Sequence, residues 1–330
     1  MAQDQRFGGF SSWVTAATII GVFAAGFGAR TLWSATPFIK PNAGLWHVYD
    51  ATLRNAKYID LTHAFAPGQP RGALLNDMSV TSARASQTIP DFIERNDAFS
   101  YEKHGVGITS YTFGSDQVGT QLDPPAHWNA RGATISDLPP TYAVRPLVVI
   151  NIAAKVRSNP AYHASVADVL DWETRHGRIP AGSVVMIRSD WSKLWDNPAK
   201  FLGTQRPGIA LDALKLLQID RSILFHGHEP LDTDNTPDFV GERWLLTHNF
   251  TQAEGVMNLD KVPEAGALIM IGFAKPLGGT GGFARFIAIA PADWPYGATI
   301  DSTPGAPLPE QIAPLQRSSD GVLRPTLPHK

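Results

Sequence analysis

The chain has 330 residues, 43% of them hydrophobic and 18% charged, with a formal net charge of −2. That length buries a substantial core, and the near-neutral balance without a long basic run removes the electrostatic case for a nucleic-acid partner. Ten histidines and no cysteine exclude disulfides and thiolate zinc sites, so any metal here is held by nitrogen and oxygen ligands.

In chain order, residues 7–29 come first (FGGFSSWVTAATIIGVFAAGFGA), free of charge between Arg6 and Arg30. The run is long enough to span a bilayer and ends in small residues, as a signal peptide does. Residues 1–35 are therefore expected to be a signal peptide or N-terminal membrane anchor, which places the protein in the periplasm, secreted, or tethered to a membrane. Residues 36–56 read as a linker with an amphipathic piece around 45–53. Globular patterning starts at KYIDLTHAF. From there VGITSYTF, PLVVINIAA, SVVMIRSDW, SILFHG, ALIMIGF and FARFIAIAP alternate with Gly/Pro turns and predict strands. Helical spacing predicts helices over 165–176, stopped by Gly177, over 207–218, opened by Pro207, and over 241–249. Many strands with a few interspersed helices predict an α/β class protein: a single mixed α/β domain over 57–297 with a β-barrel-like core. The Pro-rich tail, 298–330, is expected to hug the surface or stay disordered.

Groups able to hold a metal or move protons fall in three places. In QVGTQLDPPAH (117–127), period-two spacing turns Gln117, Gln121 and Asp123 to one face of an extended segment. Pro124 and Pro125 then end the strand and let His127 turn back toward that face. FHGHEPLDTDN (225–235) sets His228 and Glu229 just beyond an apolar strand, where α/β enzymes place sites; Asp232 and Asp234 equally suit a cap on the next element. GERWLLTHNFTQAEGVMNL (241–259) offers Glu242, His248, Gln252 and Glu254. His248 shares a helix face with Trp244 and Leu245, so a core histidine is as good a reading as a ligand. Glu254 precedes an apolar patch, where an unpaired carboxylate is expensive and a metal or basic partner relieves the cost. GGTGG (278–282) lacks the GK[ST] ending of a phosphate loop and reads as a turn. No GxSxG elbow is present, which argues against a Ser-His-Asp hydrolase.

These residues resemble a known family. The frame QxGTQxDPPxH is similar to the HxGTHxDxPxH motif of the metal-dependent cyclase family, which includes bacterial kynurenine formamidase and isatin hydrolase. YIDLTH (58–63), DWETRHGRIPAG (171–182) with VVMIRSDW, QAEGVMNLDKVPEAGA (252–267) and ARFIAIAP extend the likeness over about 57–295 in order. The resemblance implies a mixed α/β domain around a barrel-like core, usually oligomeric, hence a homodimer or homotetramer. It implies a divalent metal held at Gln117, Gln121, Asp123 and Glu254, with His127 catalytic. Glu242 falls where a second-metal histidine is often found, with His248 nearby in sequence. Both leading histidines are glutamines here, and a neutral oxygen donor shifts preference from zinc toward manganese or magnesium. His228 and Glu229, together with Asp232 and Asp234 of DTD, would compensate as ligands in a GTQxD branch. Trp128 and Phe65 would line a pocket for the aryl group of a small-molecule substrate. The implied activity is metal-dependent hydrolysis of a C–N bond in an aryl formamide, cyclic amide or similar substrate, arylformamidase-like. The alternatives are a metal-free small-molecule-binding protein on the same fold, or a lactone or ester hydrolase.

Overall fold

Alternation along the apolar runs decides the architecture. Val144–Asn151 sends Leu147 and Val149 into one buried cluster and Val148 and Ile150 into another. Val184–Arg188 repeats this with Val184 and Met186 against Val185 and Ile187. Strands buried on both faces need an interior on one side and a covering layer on the other. The computed structural model supplies both; it describes residues 44–71, 75–300, 308, 315–317 and 323–325. The charge-free segment 7–29 lies outside the described residues. Among those described, no helix is long and apolar enough to cross a membrane.

The chain divides into two units, Met1–Ala51 and Thr52–Lys330. In the first, Leu45–Ala51 is a helix whose side chains are all exposed. The second holds one sheet of β1 (Lys57–Asp60), β2 (Gln121–Asp123), β3 (Val144–Asn151), β4 (Val184–Arg188), β5 (Phe225–His228), β6 (Thr251–Glu254), β7 (Ala267–Phe273) and β8 (Gly282–Ala290). The order is β1-β8-β7-β3-β4-β5-β6-β2, and β2 also pairs with β8, which closes seven strands into a barrel. β3, β4, β5 and β6 run parallel to their neighbours in that series, and the remaining pairs are antiparallel. This is the mixed α/β domain with a barrel-like core that the sequence predicts.

Phe225, Phe286, Met186, Leu122 and Ile269 fill the interior. Outside, Trp172 from the helix Val166–His176 and Leu214 from Leu211–Lys215 pack over the apolar outer face of β3 and β4. The first of these helices begins with a capping box between Ser165 and Asp168. The helix expected over 207–218 starts later, as the α-helix Leu211–Lys215 that runs on as a π-helix through Leu216–Asp220. Gly208–Ile209 instead pairs with His163–Ala164, and a Cβ on Gly208 would fall 2.8 Å from Thr233 O, so the chain is held in a strand pairing remote in sequence before the helix starts. VGITSYTF contributes Thr109–Thr112 to a two-stranded antiparallel sheet with Ser79–Ser82, separate from the barrel. In the tail, Leu315–Arg317 pairs with Leu323–Pro325.

The outer face changes character at β5, β6 and β2. Leu122, Phe225 and Ala253 point into the barrel core, so Gln121, Asp123, His226, His228, Gln252 and Glu254 point out. Register sets Gln252 opposite Asp123, Glu254 opposite Gln121, and Gln252 beside His226. The helix Val240–Thr247 is tied to this wall from its first turn. Asp234 accepts from Gly241 N at 2.7 Å and Glu242 N at 3.1 Å, with Thr236 N at 3.0 Å on its other oxygen. Asp234→Ala is expected to cost about 1–2 kcal/mol in urea denaturation, with Asp234→Asn recovering part of the loss. An alanine variant as stable as the parent would contradict this role.

Candidate active site

Between the polar wall and the helix lies a cavity of about 40 Å³, lined by Leu75, Gln117, Gln121, His127, Leu231, Asp232, Glu242 and Glu254. One oxygen from each of Asp232, Glu242 and Glu254 lies within 4.8 Å of the others. Asp123 lies beneath, linked to them by amides. Gln252 Nε2 donates to Asp123 Oδ2 at 3.2 Å and to Glu254 Oε1 at 2.7 Å, while Gln121 Nε2 donates to Glu254 Oε2 at 2.9 Å. Thr233 Oγ1 in turn donates to Gln252 Oε1, which fixes the amide's direction. Glu242 accepts from Trp128 Nε1 at 3.0 Å and from Thr233 N at 3.1 Å. His127 sits at the rim with Nδ1 2.8 Å from Gln117 Nε2 and Nε2 3.7 Å from Glu242 Oε1.

Burial dominates the electrostatics. It pushes Asp123 up to about 7 against the hydrogen bonds from Gln252 and Gln121, and pushes Glu242 up to about 7 with help from Asp232 and Asp123. Glu254 is raised well above the ordinary range by burial and by its three acidic neighbours. Asp232 is raised by burial too, although Arg206 pairs with it. Burial lowers His127, partly offset by Glu242. Gln121 Oε1 is buried and has no hydrogen-bond partner among the described residues. An orphaned carbonyl oxygen beside crowded carboxylates is the donor set of a hard divalent cation.

The structure thus brings together Gln117, Gln121, Asp123, His127, Glu242 and Glu254, with Trp128 against Glu242. It separates others. His228, expected as a compensating ligand, does not line the cavity; its ring spans Pro230 O at 3.0 Å and Thr233 Oγ1 at 3.3 Å, and burial holds it near 4. Glu229, also expected as a ligand, is turned away, accepting from Trp191 N at 2.7 Å, Ser189 Oγ at 2.9 Å, Ser189 N at 3.1 Å and Ser192 Oγ at 3.3 Å. His248 is neither core nor site: it is exposed, with its ring stacked on Trp244 and its Nδ1 2.6 Å from Trp244 O. Phe65 lines a different, open cavity of about 650 Å³ with Tyr111 and Phe283. Phe283 pairs with Gln121 across the sheet, so the two cavities are neighbours. Asp232 and Asp234, which the sequence leaves open between ligand and cap, part company: Asp232 belongs to the acidic group and Asp234 is the cap. Gln252 was legible as a same-face neighbour of Glu254, but its clamp on two carboxylates needs the register of β2.

The family described as "Putative cyclase" matches residues 59–235, more than half of the chain. The chain belongs to the cyclase family. Among curated relatives, the isatin hydrolase of Roseibium aggregatum is 30% identical over 192 residues, 53% of this chain and 72% of that one. The structure of isatin hydrolase A from Ralstonia solanacearum aligns with a TM-score of 0.63 and 28% identity, over 78% of this chain and 99% of that one. Isatin hydrolase A from Labrenzia aggregata, bound to benzyl benzoate, shares the fold with a TM-score of 0.63 at 24% identity, over 72% and 94%. These cyclase-family relatives are named hydrolases.

Glu229 offers a clean test of the electrostatics, because it is buried yet off the cavity. Burial raises it from 4.5 to about 7, so the unfolded chain releases this proton first as pH rises. Its contribution to stability is complete below about pH 4.5 and lost as pH climbs through about 7. The stability difference between the parent and Glu229→Gln, from urea unfolding, is expected to shift against the parent by about 2–3 kcal/mol between pH 5 and 8. A difference independent of pH would show that Glu229 is ionised throughout.

Proposed function

We propose that this chain is a metal-dependent hydrolase that cleaves a C–N bond in an aryl formamide, a cyclic amide or a similar small substrate. The observation that carries the reading is the unpartnered Gln121 Oε1 beside buried carboxylates that have no Lys or Arg partner at Asp123, Glu242 or Glu254 among the described residues. Asp232, Glu242, Glu254 and Gln121 would hold the cation, with Asp123 tied to them through Gln252 and Gln121, an all-oxygen set that favours manganese or magnesium over zinc. Bound there, such an ion polarises a carbonyl and lowers the pKa of a water molecule.

The chain's own groups supply the rest. His127 is the imidazole that lines the cavity and meets the reacting atoms. Trp128 holds Glu242 in place through its indole N–H and packs edge-on against the His127 ring. The larger cavity beside Gln121, with Phe65, Tyr111 and Phe283, has the size and aromatic lining for the aryl part of a substrate. Isatin, named in the relatives, is an aromatic lactam, which supports the cyclic-amide class.

The test is a hydrolysis screen of aryl formamides, lactams and lactones with full-length protein, after chelation and after return of Mn²⁺, Mg²⁺ or Zn²⁺. Chelation is expected to abolish turnover and Mn²⁺ or Mg²⁺ to restore it. Asp123→Ala should lose both activity and the rise in Tm on adding the ion. His127→Ala should keep the Tm rise while kcat falls by about 10²–10³-fold. If no divalent ion raises the Tm, the chain is instead a metal-free small-molecule-binding protein; turnover of lactones alone moves it to ester chemistry.

A further inference from the structure

The Gly-rich turn that resembles no working phosphate loop has a definite place. Thr280 N and Gly281 N donate to Asp116 Oδ2 at 2.8 and 2.9 Å, which folds the turn against the start of the motif. The carbonyl oxygen of Thr280 then lies 3.4 Å from Gln117 Nε2. Gly281 leaves the room for that side chain: a Cβ there would fall 2.5 Å from Gln117 Cγ and 3.2 Å from Gln117 Nε2.

These neighbours decide which way the Gln117 amide faces. A backbone carbonyl only accepts, so the amide nitrogen, not its oxygen, points at Thr280 O. An ionised Asp123 Oδ1, also 3.4 Å away, accepts likewise, the two longer contacts sharing one amide hydrogen. The same nitrogen lies 2.8 Å from His127 Nδ1. An amide NH₂ only donates, so Nδ1 must accept and carries no hydrogen. In a neutral imidazole the hydrogen then sits on Nε2, the nitrogen on the Glu242 side of the ring.

We propose that Gln117, clamped by the turn at 278–282, is the positioning residue that fixes His127 with its hydrogen on Nε2, so that His127 meets the substrate as a hydrogen-bond donor. The part about substrate rests on the hydrolase reading; the tautomer does not. A histidine held this way cannot take a proton through Nε2. It donates to the oxygen on which charge develops when the carbonyl is attacked, and the proton of the attacking water passes to a carboxylate of the cavity lining, Asp232, Glu242 or Glu254. One of the two exchanges from the family motif, glutamine at 117, thereby acquires a function that needs no bond to a metal.

The experiment is selective ¹⁵N-histidine labelling of the full-length chain with Mg²⁺, read by two-bond ¹H–¹⁵N correlation. His127 is identified by the signals lost in His127→Gln. The expected pattern is an unprotonated Nδ1 and a protonated Nε2. Gln117→Glu, whose carboxylate only accepts, should place a hydrogen on Nδ1. Gly281→Ala, which displaces Gln117 without touching His127, should give a tautomer-averaged pattern. In both variants kcat should fall about tenfold or more with little change in KM. A parent spectrum with the hydrogen on Nδ1 overturns the inference, as does a pattern unchanged in both variants. The expected spectrum without hydrolysis of any substrate would sink the hydrolase reading and leave the tautomer standing. The opposite spectrum with chelator-sensitive hydrolysis would do the reverse.

Discussion

Asp123, Glu242 and Glu254 are buried beside one another with no Lys or Arg to neutralise them among the described residues, and the rest of the site answers that cost. An isolated carboxylate in a low-dielectric wall is stable only if it stays protonated, collects hydrogen bonds, or shares a cation. The surroundings supply the second remedy in part. Gln252 spends both amide hydrogens on carboxylates, Trp128 and Thr233 donate to Glu242, and Gln121 donates to Glu254. What is left over is an acceptor, Gln121 Oε1, and acids pushed above their ordinary range. Both are relieved together by a bound cation.

The barrel makes this arrangement tolerable. Each strand of the site keeps one apolar residue in the interior, Leu122 on β2, Phe225 on β5 and Ala253 on β6, so the polar face does not weaken the core. Closure through the β2–β8 pairing leaves the short β2 hydrogen-bonded on both edges. Three residues of strand can therefore hold two of the critical side chains rigidly.

Much of this was legible in the sequence, and the failures have particular causes. The strands β3, β4, β7 and β8 stand out because burial on both faces or strict alternation leaves a periodic mark. The motif from Gln117 to His127 also stands out, because Gly, Thr and two prolines fix a backbone that ordinary loops do not need. Alternation correctly put Gln121 and Asp123 on one face, but Gly119 at φ +75° breaks it before Gln117, which reaches the site from a turn. His228 faces the same side as the acids, yet Thr233 and Gln252 come between, and only the fold shows what intervenes. Glu229 follows directly after β5, next to the N–H groups of Ser189 and Trp191, which capture it. The late start of the helix after Pro207 reflects pairing with His163–Ala164, a contact remote in sequence.

The central claim is that these carboxylates form a cation site, and proton release tests it most directly. Carboxylates raised toward or above 7 must give up protons when a divalent ion binds. Calorimetric titration of chelator-treated protein with Mg²⁺ or Mn²⁺, repeated in buffers of different ionisation enthalpy, counts those protons. The account predicts saturable binding with net proton release at pH 6 that shrinks by pH 8. Binding without proton release at pH 6, or no binding at all, would contradict it.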